Sequence, residues 1–186
     1  IPRLAVTTGG TLAQWCDRDG VPWVRLPGGS PPRAAMYASW VRLTQLVHAL
    51  EWVADPTAAW QEARARLAER RETLGTRAPE SGNAAKQMAR ALHGRPLFIY
   101  AGSARLAGLA TRIRNQINEN AKLLAHSALV PELNHNEIVG WEAPAPWNHN
   151  AAVRMIHDPE DPAEVRTRLT LTAEYVRGRG AEVFEL

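Results

Sequence analysis

The sequence predicts an α/β fold: an αβα sandwich on a parallel sheet, preceded by part of a similar unit. Two observations lead there. Short apolar runs of strand length alternate with longer segments of helical spacing, and glycine or proline turns end the runs. Strands separated by helices belong to a parallel sheet with covered faces, and its crossovers are expected to be right-handed.

Each element follows from its own residues. LAVTT at 4–8 is a short apolar run ended by Gly9 and Gly10, TLAQWCDRDG is helix-like, and VPWVRLP at 21–27 is a strand before a GGSPP turn. Residues 36–54 read as a buried helix, because Met36, Trp40, Leu43, Val47, Leu50 and Ala54 step by three and four. From Pro56 to Gly75 runs an Arg/Glu/Ala-rich helix, polar enough to be a solvated connector, and RAPESGN at 77–83 marks a boundary. The pattern then restarts. NAAKQMARALHG is a helix, PLFIYAGS at 96–103 a strand into a turn, and 104–123 a second helix. SALV at 127–130 is a strand, HNEIVGW a short helix, AAVRMI at 151–156 a strand, PAEVRTRLTLTAEYVRG a helix and AEVFEL a strand. The chain opens and closes on strands, from which a fragment cut at both ends is expected.

Composition narrows the function classes. A chain of 186 residues, 45% hydrophobic and 22% charged, is an ordinary globular sequence of one domain or two small ones. The net charge is +3, and Lys86 and Lys122 are the only lysines. The arginines (Arg64, Arg66, Arg70, Arg71, Arg77) are not interleaved with aromatics as on a nucleic-acid surface. A single cysteine, Cys16, forbids an internal disulfide or a CxxC metal site and makes a reducing cytoplasm the default. No apolar run approaches the ~18 residues of a membrane span, and no signal peptide opens the chain.

The unusual stretches are NQINENAK at 115–122 and PELNHNEIVGWE at 131–142. Asparagine belongs at caps and turns rather than in helices, so these runs point to donors and acceptors held in place. On the 104–123 helix, Leu106, Leu109, Ile113, Ile117, Ala121 and Leu124 form the expected core stripe. Arg112, Asn115, Glu119 and Lys122 form a separate polar ridge. Glu119, with Lys122 one turn on, is either a general base among amides or one half of an ion pair on a solvated face. His135 is either a catalyst or a structural hydrogen-bonder. A zinc-deaminase reading of His135-x-Glu137 fails for want of a second cysteine. The remaining histidines (His48, His93, His126, His149, His157) show no metal-ligand spacing. The turns TTGG, PGG and AGS each follow a strand, where helix N-termini bind anions, but are too short to be diagnostic.

NENAK followed by PELNHNEIVGWE closely resembles the bifunctional phosphoglucose/phosphomannose isomerases of the sugar-isomerase (SIS) superfamily. TTGGTLAQWCDRDGVPWVRLPGGSPPRAAM resembles the end of that family's first SIS half. The resemblance implies a flavodoxin-like SIS fold. It places residues 1–54 in the end of the first half, 55–82 in a helical connector and 83–186 in the second half. It implies a homodimer without metal or nucleotide cofactor, and a phosphorylated hexose as substrate. By position in the motifs, Glu119 corresponds to the base that carries a proton between C1 and C2. His135 corresponds to the ring-opening histidine that reaches the site from the partner subunit, and Arg33 to the arginine that stabilises the enediolate.

The departures matter too. The family's glycine-rich start, its serine-rich phosphate loop and its C-terminal lysine-bearing helix have no counterpart in this sequence, and LLAHSAL at 123–129 differs from the usual wording. The expectation is therefore an isomerase whose isolated piece binds substrate poorly. The alternatives are a weakened phosphosugar-binding regulator and a structural α/β module. The sequence does not choose between glucose and mannose phosphates.

Overall fold

In a computed structural model, residues 3–102 and 104–185 are described. Ser103 of the AGS turn and Leu186 of the last expected strand lie outside the described residues. The chain forms two compact units, Ile1–Ala78 and Pro79–Leu186.

The first unit holds a two-stranded parallel sheet. Strand β1 (Ala5–Thr7) pairs in register with β2 (Trp23–Arg25) across helix α1 (Gly10–Asp19). Helix α1 buries Ala13 and Cys16 and stops at Gly20, whose left-handed φ of 63° suits a residue without Cβ. Helix α2 (Pro32–Ala49) begins four residues earlier than its apolar spacing predicts, because a proline fits the first turn of a helix. It also ends before Ala54. Its expected burial is corrected outright: no residue of α2 is buried, and Trp40 remains 53% exposed. Apolar spacing gives a helix a face, but the unit does not supply enough surface to cover it. Trp40 does meet Trp60 edge-on, with ring centroids 4.7 Å apart. Helix α3 (Thr57–Leu74), which carries Trp60, buries no residue, as its polar composition suggests.

The second unit has a real core. Helix α4 (Ala84–Leu92) is capped by Asn83, which is fully buried and whose side chain accepts from the Lys86 N–H. Strands β3 (Leu97–Ala101), β4 (Ala125–Leu129), β5 (Ala152–Ile156) and β6 (Glu182–Glu185) form one parallel sheet in the order β4-β3-β5-β6. Helix α5 (Ala104–Gln116) joins β3 to β4 and α7 (Ala163–Gly178) joins β5 to β6; the short α6 (Ala145–His149) precedes β5. Successive side chains of a strand point to opposite faces, and the sheet accordingly separates two clusters. On one face Tyr100, Val153 and Met155 meet Leu169, Ala173 and Val176 of α7. On the other, Leu97, Ile99 and Ala152 meet Leu92 of α4 and Ala110 of α5. Burying such side chains stabilises by roughly 1.5–3 kcal/mol each before entropy is counted.

Two expectations in this unit are corrected. The helix of 104–123 is α-helical only to Gln116, and a π turn, Ile117–Ala121, follows. Lys122 then adopts a left-handed φ of 57°, so it leaves the ridge expected to carry it. Of the expected core stripe, Leu106, Ile113 and Ile117 pack against the sheet, but Leu109 is exposed and Leu124 is 76% exposed. Ala110 is buried instead, a small residue at the close approach to the sheet. The HNEIVGW helix is a 3₁₀ segment, Glu137–Glu142, preceded by a separate 3₁₀ turn, Glu132–Asn134.

Candidate active site

Glu119 sits at the middle of the π turn, a form that widens the helix by one residue and recurs at functional sites. Asn118 shows why the chain turns there. Its Nδ2 donates to the Ala125 carbonyl at 3.2 Å and its Oδ1 accepts from the Ala125 N–H at 2.8 Å, fastening the turn to the first residue of β4. Asn120 Nδ2 donates to Gln116 Oε1. Asn118 thus ties the turn to the strand that follows it, and Asn120 ties it to the last residue of α5. Glu119 is exposed. The ion pair with Lys122, one of the two readings of Glu119, does not form: Lys122 Nζ donates to the backbone carbonyl of Glu119 at 2.6 Å. Among the described residues no hydrogen bond or ion pair engages the Glu119 carboxylate.

The segment 131–142 has a different task. After the cis Val130–Pro131 peptide it lies over the sheet face shared with α7, and Leu133 and Trp141 are buried in that core. Asn134 Nδ2 donates to Thr172 Oγ1 of α7 at 2.8 Å. Asn136 Nδ2 donates to Glu132 Oε1, and its own Oδ1 accepts from the Glu137 N–H. His135, among these anchored neighbours, keeps an exposed side chain. Leu133 and Trp141 thus pin PELNHNEIVGWE to the core, while His135 is exposed, as are Pro131, Glu132, Asn136, Val139, Gly140 and Glu142.

Sequence reasoning misses the polar network beneath it. Glu137 Oε1 accepts from Tyr100 OH at 2.6 Å, Trp141 Nε1 donates to the same hydroxyl at 3.0 Å, and His126 Nε2 lies 3.0 Å from Glu137 Oε2. Burial, then the neighbouring Glu137 carboxylate, push the Tyr100 hydroxyl well above the ordinary tyrosine range. The signal lies in the position: Glu137 stands midway between Leu133 and Trp141, four residues from each. Beside this network a hollow of about 330 Å³ is lined by Phe98, Glu137, Trp141 and Trp147.

Glu119 and His135 are not brought together within one copy of the second unit. The α5 side of the sheet carries the Glu119 turn, ahead of β4; His135 follows β4, in the segment covering the opposite face. Arg33 belongs to the first unit, exposed in the first turn of α2, where the helix's positive end adds to its charge. Among the described residues no group of three His, Cys, Asp or Glu side chains is placed to hold a metal ion. No described helix is long and apolar enough to cross a membrane.

Comparison with known proteins adds to this geometry. Residues 81–186 match the family model described as the bacterial phospho-glucose isomerase C-terminal SIS domain. Two curated relatives are both named bifunctional phosphoglucose/phosphomannose isomerase. The one from Caldicellulosiruptor bescii is 33% identical over 94% of this chain and 52% of its own length. The one from Pyrobaculum aerophilum is 34% identical over 96% of this chain and 49% of its own. The chain thus spans about half the length of these relatives. A crystal structure of a glucose-6-phosphate isomerase like protein from Thermus thermophilus aligns with a TM-score of 0.59 at 20% identity. That alignment covers 98% of this chain and 64% of the other, a likeness of fold.

Proposed function

The chain belongs to the bacterial phosphoglucose isomerase C-terminal SIS domain family, and from that membership we propose that it carries the proton-transfer half of an aldose–ketose isomerase acting on hexose 6-phosphates. Glu119 is the base. It takes the proton from the carbon next to the carbonyl and returns it to the neighbouring carbon, so that glucose or mannose 6-phosphate and fructose 6-phosphate interconvert through an enediolate. A carboxylate suits this exchange because it releases the proton as readily as it accepts it. Arg33 offers a fixed positive charge to the enediolate oxygens. His135 moves the proton that opens the sugar ring, a task suited to histidine as a residue type.

The observation that carries this reading is the state of Glu119: displayed on a π turn fastened by Asn118, with a carboxylate that no described partner occupies. A solvated ridge glutamate has no use for a turn built this way. The separation of Glu119 from His135 within one copy supports a homodimer in which each site takes its histidine from the neighbouring subunit. In this scheme residues 1–54 close a first SIS half, 55–82 connect and 83–186 form the second half.

Solvent deuterium tests the chemistry. Fructose 6-phosphate incubated with the full protein in D₂O should yield glucose 6-phosphate labelled at C2, detected by NMR. Product formed with no label at any stage of the reaction would contradict a base that exchanges its proton with water.

A further inference from the structure

A carboxylate on the packed face of a sheet is a poor choice for stability. Glu137 stands midway in the chain between Leu133 and Trp141, both buried, and its own side chain is only 23% exposed. Replacing a whole buried network of this kind by apolar side chains avoids the cost of desolvating the charge and is often neutral or stabilising. Yet both carboxylate oxygens are engaged, one by Tyr100 OH at 2.6 Å and the other by His126 Nε2 at 3.0 Å. Tyr100 is in turn held by the Trp141 indole at 3.0 Å. The network ties β3, β4 and the 3₁₀ segment at one point.

That point is two residues from His135. On the other side, Asn134 fastens the chain to Thr172 of α7, and Asn136 closes a bond to Glu132 and caps Glu137. The backbone carrying His135 is therefore anchored before and after the imidazole, while the imidazole itself faces outward.

We propose that Glu137, clamped between Tyr100 and His126, is a positioning residue that fixes where the His135 imidazole is presented for ring opening. This rests on the reading of His135 as the ring-opening group. Glu137 touches no substrate in this scheme; it acts by denying the 3₁₀ segment other arrangements. Misplacement of a reacting group by about 1 Å costs on the order of 100-fold in rate.

The test compares the full protein with Glu137→Leu, Glu137→Gln, Tyr100→Phe and His135→Ala, each assayed on the cyclic sugar phosphate and on an open-chain analogue, with urea unfolding beside it. His135→Ala should slow the cyclic substrate far more than the analogue. Glu137→Leu should reproduce that discrimination, by ~10- to 100-fold, together with some loss of stability from the buried Tyr100 hydroxyl left without its acceptor. Glu137→Gln, which keeps an acceptor for Tyr100, should restore most of it, and Tyr100→Phe should show a smaller loss of the same kind. If Glu137→Leu fails to fold, Tyr100→Phe decides alone. Cyclic and open-chain rates that fall together in Glu137→Leu and in Tyr100→Phe, while His135→Ala still discriminates, would overturn the positioning role and leave the role of His135 standing. Equal slowing by His135→Ala itself would remove the premise and the inference with it.

Discussion

The two units of this chain put regular apolar patterning to different effect. In the second, four parallel strands carry core residues on both faces, and Ile99 and Tyr100 are wholly buried. In the first, two three-residue strands stand beside helices α2 and α3, neither of which buries a residue. The α2 stripe of Met36, Trp40, Leu43 and Val47 is as regular as any in the second unit. Regular spacing states which face prefers to leave water; burial also needs a facing surface, and that is a property of the rest of the fold.

Substitutions that probe each unit should break or sharpen this contrast. The largest effect is expected at Trp141, whose ring packs edge-to-face on Phe98 at 5.1 Å and whose indole serves the Tyr100 hydroxyl. Trp141→Ala should cost about 3–5 kcal/mol in urea unfolding. A loss below about 1 kcal/mol would mean that the 131–142 segment is not part of the core. Tyr100→Phe comes next, at about 1.5–3 kcal/mol near neutrality for a lost hydrogen bond to a charged group. Its pH dependence has a definite sign. The hydroxyl titrates higher in the folded state than its ordinary value of 10.0. Its stabilisation is therefore complete below about pH 10 and falls as the pH rises through the folded value. The native protein should lose stability above about pH 10 more steeply than Tyr100→Phe; parallel slopes would contradict the buried network. The smallest effect is expected in the first unit. Trp40→Ala removes little beyond the edge-on contact with Trp60 and should cost about 0.5–1.5 kcal/mol. A loss above about 3 kcal/mol, measured by the same unfolding, would show that the α2 face is covered in solution.

Legibility in the sequence follows the same division. The strands β3 and β5 stand out because parallel strands covered on both faces read as near-continuous apolar runs, LFIYA and AVRMI, the second interrupted by Arg154 alone. Helix α7 is equally plain. The π turn is not, since its cause is a pair of hydrogen bonds between Asn118 and Ala125, seven residues apart, and helical spacing carries no sign of them. For the same reason helical spacing wrongly pairs Lys122 with the Glu119 carboxylate. Glu119 and His135 stand out through resemblance to a family more than through pattern: on pattern alone each has an ordinary structural explanation. Glu137 is easily overlooked beside the neighbouring histidine, although its place midway between Leu133 and Trp141 is visible.

The central claim is that the carboxyl group displayed on the π turn moves the substrate proton. The most direct measurement is the rate of fructose 6-phosphate isomerisation by the full protein carrying Glu119→Gln, a change that keeps the side chain's shape and removes its basicity. The account predicts a fall of about 100- to 10,000-fold, the range for loss of a general base, with unfolding in urea unchanged. A rate within a factor of about two of the native protein would contradict it.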